Sequence, residues 1–85
     1  MKSNDISLLI PAIIRRVRKE KSFSQEDLAR LANLDRTYIS GIEREDRNIT
    51  IKSLSKILSA LEIDIDNFAL ELIHQNRAQK SIDKQ

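Results

Sequence analysis

The sequence predicts an all-α fold of five short helices in one compact domain. Apolar residues, mostly isoleucine and leucine, recur at the spacing of a helix face along most of the 85 residues. The chain has one glycine and one proline, and it lacks the Asn-Gly or Asp-Gly pairs that mark β-hairpins. A domain of this size buries only about 60–65% of its unfolded surface, so a partner subunit would stabilise it.

The composition argues against several kinds of site. The absence of cysteine excludes disulfides and thiolate metal sites, and a single histidine, His74, cannot build a metal site alone. No stretch approaches the length of a membrane span. The opening residues carry an aspartate ahead of a brief apolar run and have no small-residue cleavage site, so they do not form a signal peptide. We therefore expect a cytosolic protein that needs no cofactor or metal.

The first helix is predicted from Ser7 to about Lys21. Pro11 fits only within its first turn, because further inside it would remove a backbone hydrogen bond. Four basic residues lie mainly between the apolar positions. The inward stripe consists of Leu9, Ile10, Ile13, Ile14 and Val17.

Two further helices follow closely. Ser24 and Asp27 have the spacing of a capping box, which opens the second helix. Asn33 tolerates the left-handed conformation that ends a helix, and Asp35 caps the third helix two residues later.

Thr50 is predicted to cap the fourth helix and Asp64 to begin the fifth. We expect the folded part to cover about residues 7–76, with 77–85 as a frayed polar tail. The apolar stripe of helix four is Ile51, Leu54, Ile57, Leu58 and Leu61, and that of helix five is Ile65, Phe68, Ala69, Leu72 and Ile73.

Helices two and three have the spacing of a helix-turn-helix. Counting from Gln25 as position one, apolar residues occupy the places where two short helices must pack across a tight corner. A small residue stands where the helices approach, and Asn33 replaces the usual glycine of the turn. The inward positions are Leu28, Ala29, Ala32, Leu34, Ile39 and Ile42.

The opposite face of helix three is polar. Arginine suits guanine, hydroxyls suit several acceptors, and a threonine methyl suits thymine, so this face matches base edges in a major groove. The candidate base-reading residues are Arg36, Thr37, Tyr38 and Ser40. Gly41 costs this helix about 1 kcal/mol relative to alanine. It allows a close approach, either of helix two or of a nucleic-acid backbone, or it is simply a packing contact.

Flanking polar residues are candidates for contacts to phosphates. A helix start favours an anion, which suits Gln25 at the start of helix two, whereas capping or plain surface roles are the alternatives. The candidates are Gln25, Arg44, Arg47, Asn48 and Thr50. Residues 1–60 carry 12 basic and 8 acidic side chains, and residues 61–85 carry 3 and 5, so positive charge is concentrated around these candidates.

A dimer is expected because one short helix reads too few base pairs to define a site in a genome. Two copies about 34 Å apart would read a palindrome. The candidate interface is Ile63, Ile65, Phe68 and Leu72, with Phe68 as its anchor. The alternative is that these residues close the core of the single chain.

The segment "SQEDLARLANLDRTYISGIEREDRNITIKSLSKILSAL" resembles the Cro/repressor-type helix-turn-helix family, and within it the controller proteins of bacterial restriction–modification systems. The similarity runs from about Ile14 to Leu72. It implies a lambda repressor-like fold, a homodimer on short symmetric operators of double-stranded DNA, and base or further DNA contacts at Arg36, Thr37, Tyr38, Ser40, Arg47 and Asn48. Ser22 and Pro11 depart from the family pattern.

The resemblance also implies timing control. A dimer would activate its own gene and the endonuclease gene, and a second dimer on an adjacent operator would then repress them. Glu26 and Asp27 are candidates for a contact with RNA polymerase, although helix capping explains them equally well. The alternatives are a phage-type repressor, an antitoxin-type regulator, or a protein-binding module on the same scaffold. Catalysis is not expected, because nucleophile, phosphate-loop and paired-carboxylate patterns are missing.

Overall fold

A computed structural model describes residues 6–83, with side chains as far as Ala78. Five helices follow one another as predicted, with the first beginning and ending one residue earlier than expected. None of the helices within residues 6–83 combines the length and apolar character that crossing a membrane requires. The helices are α1 (Ile6–Glu20), α2 (Gln25–Ala32), α3 (Arg36–Glu43), α4 (Ile51–Ala60) and α5 (Ile65–Asp83).

The core forms around α1, which packs against α3 and α5, while α2 packs against α3 and α4. Ile13 and Ile14 of α1 are completely buried, and each such side chain contributes about 1.5–3 kcal/mol through its removal from water. The other completely buried large side chains are Leu28, Ile39, Ile42, Ile57 and Leu61. These residues all belong to the predicted inward stripes.

Hydrogen bonds from side chains define the helix starts. The Asp27 backbone N–H donates to Ser24 Oγ and the Ser24 N–H to Asp27 Oδ2, both at 2.9 Å, so the predicted capping box is confirmed. Thr50 Oγ1 accepts from the Ser53 N–H at 3.0 Å at the start of α4. Asp35 precedes α3 as predicted, but its side chain accepts no capping hydrogen bond there.

Four connections use a left-handed residue that is not glycine. Within residues 6–83 these are Ser22, Asn33, Glu45 and Glu62, with φ between 57° and 64°. At the end of α1, the Ser22 N–H donates to the Lys19 oxygen at 3.0 Å, and the next N–H reaches the Arg18 oxygen. Ser22 therefore takes the left-handed conformation that glycine usually supplies at a helix end.

Three further predictions about the helices differ from the structure. Pro11 lies beyond the first turn of α1, because the buried stripe of that helix continues on both sides of it. Ile51 is 80% exposed rather than inward, since it is the first residue of α4 and precedes the buried part of that helix. The predicted frayed tail is helical from 77 to Asp83, and residues 84–85 lie outside the described residues.

Replacement of Ser22 by glycine is expected to stabilise the domain by about 0.5–1 kcal/mol. Relief of the left-handed strain at Ser22 outweighs the added freedom of glycine in the unfolded chain. Urea unfolding of Ser22→Gly measures the gain. The matched control is Ser55→Gly on the exposed side of α4, which should lose about 0.5 kcal/mol because glycine weakens a helix. A loss of stability in Ser22→Gly would contradict the account of this turn.

Candidate nucleic-acid interface

The corner between α2 and α3 holds α3 at the surface. Asn33 takes the left-handed conformation, and the Leu34 N–H reaches back to the Ala29 oxygen at 2.9 Å. Ile39 and Ile42 of α3 are buried against the rest of the core. The inward side of the predicted helix-turn-helix is therefore confirmed, and the polar side of α3 faces outward.

The outward face begins at the first turn of α3. Arg36 and Thr37 are exposed, whereas Tyr38 and Ser40 are half-buried. The Tyr38 hydroxyl donates to the Asn48 carbonyl oxygen at 3.4 Å, which links α3 to the loop before α4. Arg36 and Thr37 present their side chains to solvent at the helix end where free N–H groups also point outward.

Arg44 and Ser40 are bound to each other. The Arg44 guanidinium donates to Ser40 Oγ and, through Nε, to Asp46 Oδ2 at 2.9 Å. Arg44 lies just after the last turn of α3. A DNA contact by either residue would have to share or replace these hydrogen bonds.

The other flanking candidates divide into two groups. Arg47 and Asn48 are exposed in the loop between α3 and α4. The Thr50 hydroxyl is engaged as the α4 cap, which is the alternative that the sequence left open. The Gln25 amide donates to Glu43 Oε1 at 3.1 Å, so one of its N–H groups points into the protein rather than towards a ligand.

Gly41 is buried on α3, and of the alternatives that the sequence left open, its surroundings favour a packing contact within the protein. The atoms nearest to the Cβ that it lacks belong to the Arg47 side chain, with Cγ at 2.6 Å, rather than to α2. The loop that follows α3 therefore folds back onto this glycine.

A buried ion pair lies on the inner side of α3. Arg18 of α1 meets Glu43 at the end of α3, with Nε 2.7 Å from Oε2 and Nη2 2.9 Å from Oε1. Only 4% of Glu43 is exposed. Two parallel hydrogen bonds of this kind fix both the distance and the orientation of the two groups.

Further hydrogen bonds to backbone oxygens surround this ion pair. Arg15 donates to the Glu43 backbone oxygen at 2.9 Å, and Arg18 also donates to the Phe23 oxygen at 2.8 Å. Burial raises the pKa of Glu43, but the hydrogen bonds from Arg18 and Gln25 and the arginine charges together lower it, so its pKa lies below the ordinary value. The hydrogen bond to Glu43 raises the pKa of Arg18 against the effect of burial. Both groups are therefore charged near neutral pH.

The sequence analysis did not predict this pair, because it placed Arg18 among the basic residues between the apolar positions of α1 and assigned no role to Glu43. A signal was nevertheless present. Arg18 stands four residues after Ile14, and Glu43 stands four residues after Ile39, so each lies on the buried side of its helix. Opposite charges at inward positions of two helices are typical of a buried ion pair.

The predicted dimer residues occupy different depths. Phe68 is only 8% exposed and packs in the core of the single chain, so it does not form a surface anchor. Ile63 and Leu72 are half-buried against that core. Ile65 is 78% exposed. For Phe68, this burial favours the alternative of closing the core of the single chain.

The two acidic candidates on α2 also differ. Glu26 is exposed. Asp27 belongs to the capping box and accepts from Arg30 at 2.9 Å. Its hydrogen bonds with Ser24 lower the pKa of Asp27, and Arg30 adds to this effect. Capping thus accounts for Asp27 but leaves Glu26 available at the surface.

The chain is similar to known proteins, of which three are described here. A transcription factor of Neisseria meningitidis serogroup B, described as hypothetical, is 39% identical over 59 residues, which cover 69% of this chain and 56% of that relative. The control protein C.BamHI of Bacillus amyloliquefaciens is 45% identical over 62 residues, covering 72% of this chain and 76% of that protein. The crystal structure of the restriction–modification controller protein C.Esp1396I, a tetramer in complex with its natural 35 base-pair operator, has a TM-score of 0.82 and 46% identity over 86% of this chain and 96% of that chain.

Two short helices that meet at a tight corner and turn a polar helix face outward define the helix-turn-helix class of DNA-binding regulators. The chain belongs to the helix-turn-helix family, whose model matches residues 14–68. The match extends from the middle of α1 to Phe68 in α5, so it contains both the corner and the Arg18–Glu43 pair. The chain spans little more than half the length of the Neisseria relative.

Replacement of Glu43 by glutamine is expected to lower the free energy of unfolding by about 3 kcal/mol at pH 7, because the buried charge of Arg18 loses its counter-ion. The lowered pKa also predicts a pH dependence. The contribution of the pair is complete above the unfolded pKa of about 4.3 and is lost as the pH falls through the lower folded pKa. The variant should lack this part of the acid sensitivity.

Urea unfolding at a series of pH values tests both effects. Glu45→Gln removes the same charge from an exposed position and is the matched control, for which we expect a much smaller change. An acid profile of Glu43→Gln that parallels that of the unmodified protein would show that the pair does not provide this stability.

Proposed function

We propose that this protein is a transcription regulator of the restriction–modification controller type, which acts in the cytoplasm and binds palindromic operator DNA as a dimer. The observation that carries the proposal is the division of α3 into two faces. Ile39 and Ile42 hold the helix from behind, while Arg36 and Thr37 stand exposed at its first turn. The membership of the chain in a DNA-binding family supports the same function.

In this proposal the first turn of α3 enters the major groove. Arg36 donates a forked pair of hydrogen bonds to a guanine, which is the commonest specific contact of arginine with DNA. Thr37 packs its methyl group against a thymine or bonds a base edge. Tyr38 and Ser40 lie deeper along the same helix and would contact DNA after small changes of their present hydrogen bonds.

Contacts to phosphates would come from both sides of α3. Arg47 and Asn48 are exposed in the following loop, and they are the flanking residues with the greatest freedom to reach a backbone. Arg44, Thr50 and Gln25 are engaged within the protein, so we assign them supporting contacts through the hydrogen-bonding capacity that remains. Each phosphate contact adds about one unit to the dependence of binding on salt.

A dimer would place two α3 helices about 34 Å apart in successive major grooves. The surface around Ile65 is the best candidate for the interface, because this large apolar side chain is almost fully exposed in the single chain. The partly buried Ile63 and Leu72 would extend it. The relative C.Esp1396I is named as a tetramer on its operator, which supports two dimers on adjacent sites.

Regulation by concentration follows from this assembly. One dimer would activate transcription, with Glu26 as a contact for RNA polymerase, and a second dimer on the adjacent operator would repress it. A phage-type repressor or an antitoxin-type regulator would use the same α3 surface on a different promoter. The relatives are a transcription factor and a control protein, which favours a regulator over an enzyme. A protein-binding module on the same scaffold would differ by lacking salt-dependent binding to DNA.

Replacement of Arg36 by alanine is expected to weaken binding to the operator by about 10- to 100-fold, the range of a lost bidentate base contact. Arg77→Ala on α5 changes the net charge equally and serves as the matched control. Fluorescence anisotropy with the DNA upstream of the gene, over a series of salt concentrations, measures both. Equal affinities of Arg36→Ala and the unmodified protein would rule out this recognition surface.

Replacement of Ile65 by aspartate is expected to convert the dimer to a monomer and to leave the helices intact, because the side chain contributes little to the core of one chain. Sedimentation equilibrium and circular dichroism provide the two measurements. Ile51→Asp is the control, since Ile51 is an equally exposed isoleucine on α4. Retention of the dimer by Ile65→Asp would exclude this surface as the interface.

A further inference from the structure

The single glycine of the chain stands where its backbone conformation does not require glycine. Gly41 lies inside α3 and does not have a positive φ, although glycine is the least favourable helical residue after proline. The four positive-φ positions within residues 6–83 are instead occupied by other residue types. The reason for glycine at this position must therefore be the space that a side chain would fill.

That space is occupied by the stem of Arg47. A Cβ added to Gly41 would lie 2.6 Å from Arg47 Cγ, 3.5 Å from its Cβ and 3.7 Å from its Cδ. Carbon atoms in favourable contact are about 3.5–4.0 Å apart, so only the Cγ contact is impossible. Because the first side-chain torsion of Arg47 sets the position of Cγ, a methyl group on Gly41 would force this side chain into another rotamer.

Hydrogen bonds hold the backbone before Arg47 in place, so it cannot easily move to relieve such a clash. The Asp46 N–H donates to the Gly41 carbonyl oxygen at 2.8 Å, and the Glu45 N–H donates to the Ile42 oxygen at 3.0 Å. These two hydrogen bonds close the end of α3 over Gly41. The Tyr38 hydroxyl also holds the loop, through the Asn48 carbonyl oxygen. The clash would therefore be relieved mainly by redirecting the Arg47 side chain.

We propose that Gly41 is a positioning residue that seats the stem of Arg47 and so directs its guanidinium towards DNA beside the polar face of α3. This inference rests on the proposed function, in which the exposed Arg47 contacts DNA. Gly41 itself is buried. Because it has no side chain, Gly41 permits one rotamer of Arg47 that any larger residue would exclude sterically.

A double-mutant cycle tests this contact between Gly41 and the stem of Arg47, which we call the seat. It compares the unmodified protein with Gly41→Ala, Arg47→Ala and the double variant, using anisotropy on operator DNA at several salt concentrations. We expect Arg47→Ala to bind about tenfold more weakly and to lose about one unit of the salt slope. Gly41→Ala should show a similar loss, and the double variant should bind as Arg47→Ala does, because the methyl group then has no Cγ to displace.

Thermal unfolding gives a readout that distinguishes the seat from a plain packing role. In the Arg47→Ala background the clash is absent, and alanine is a better helix former than glycine, so Gly41→Ala should raise the melting temperature. In the unmodified background it should give a smaller gain or a loss. A glycine required only for helix packing would lower the melting temperature in both backgrounds, which would overturn the proposal.

The remaining outcomes separate the inference from the function on which it rests. Unchanged affinity of Gly41→Ala, an equal loss caused by this substitution in both backgrounds, or unchanged affinity of Arg47→Ala would each overturn the seat while the protein still binds DNA. Failure of the unmodified protein to bind would instead reject the proposed function. If Gly41→Ala alone does not fold, a folded double variant with the affinity of Arg47→Ala supports the seat, and an unfolded one overturns it.

Discussion

One carboxylate, that of Glu43, holds together the elements that present α3. It accepts two hydrogen bonds from Arg18 of α1 and one from Gln25 at the start of α2. Arg18 in turn binds the Phe23 oxygen in the turn between those helices. Because Glu43 is the last residue of α3, a single buried charge ties the end of this helix to the two helices behind it.

This anchor lets α3 specialise its two faces. The isoleucines and Glu43 provide the attachment, so the polar residues of the outer face need not contribute to stability. The loop after α3 shares this arrangement, because it folds back over Gly41 and places Arg47 next to that face. The polar surface of α3 and the following loop therefore form one continuous unit, although its residues come from two elements.

Most of the fold follows from the sequence because apolar spacing and capping residues are local signals. Ser24, Asn33 and Thr50 mark helix ends through hydrogen bonds to neighbouring residues, and these were predictable. The Arg18–Glu43 pair joins residues 25 positions apart, and no local pattern of the sequence indicates that they meet. The contact between Gly41 and Arg47 depends on how a loop returns to its helix. The prediction for Pro11 was wrong because the buried residues on both sides of it stabilise α1 against the local preference of proline for the first turn.

In the proposed function, the turn between α2 and α3 limits how the protein could change its DNA target. Asn33 and Leu34 lock the angle between the two helices through backbone hydrogen bonds, and the buried isoleucines prevent α3 from rolling about its axis. The orientation of α3 is therefore fixed by the fold. If the proposed function holds, the target can change only through the outward side chains, and exchanging them between related proteins would transfer the target preference and leave the fold unchanged.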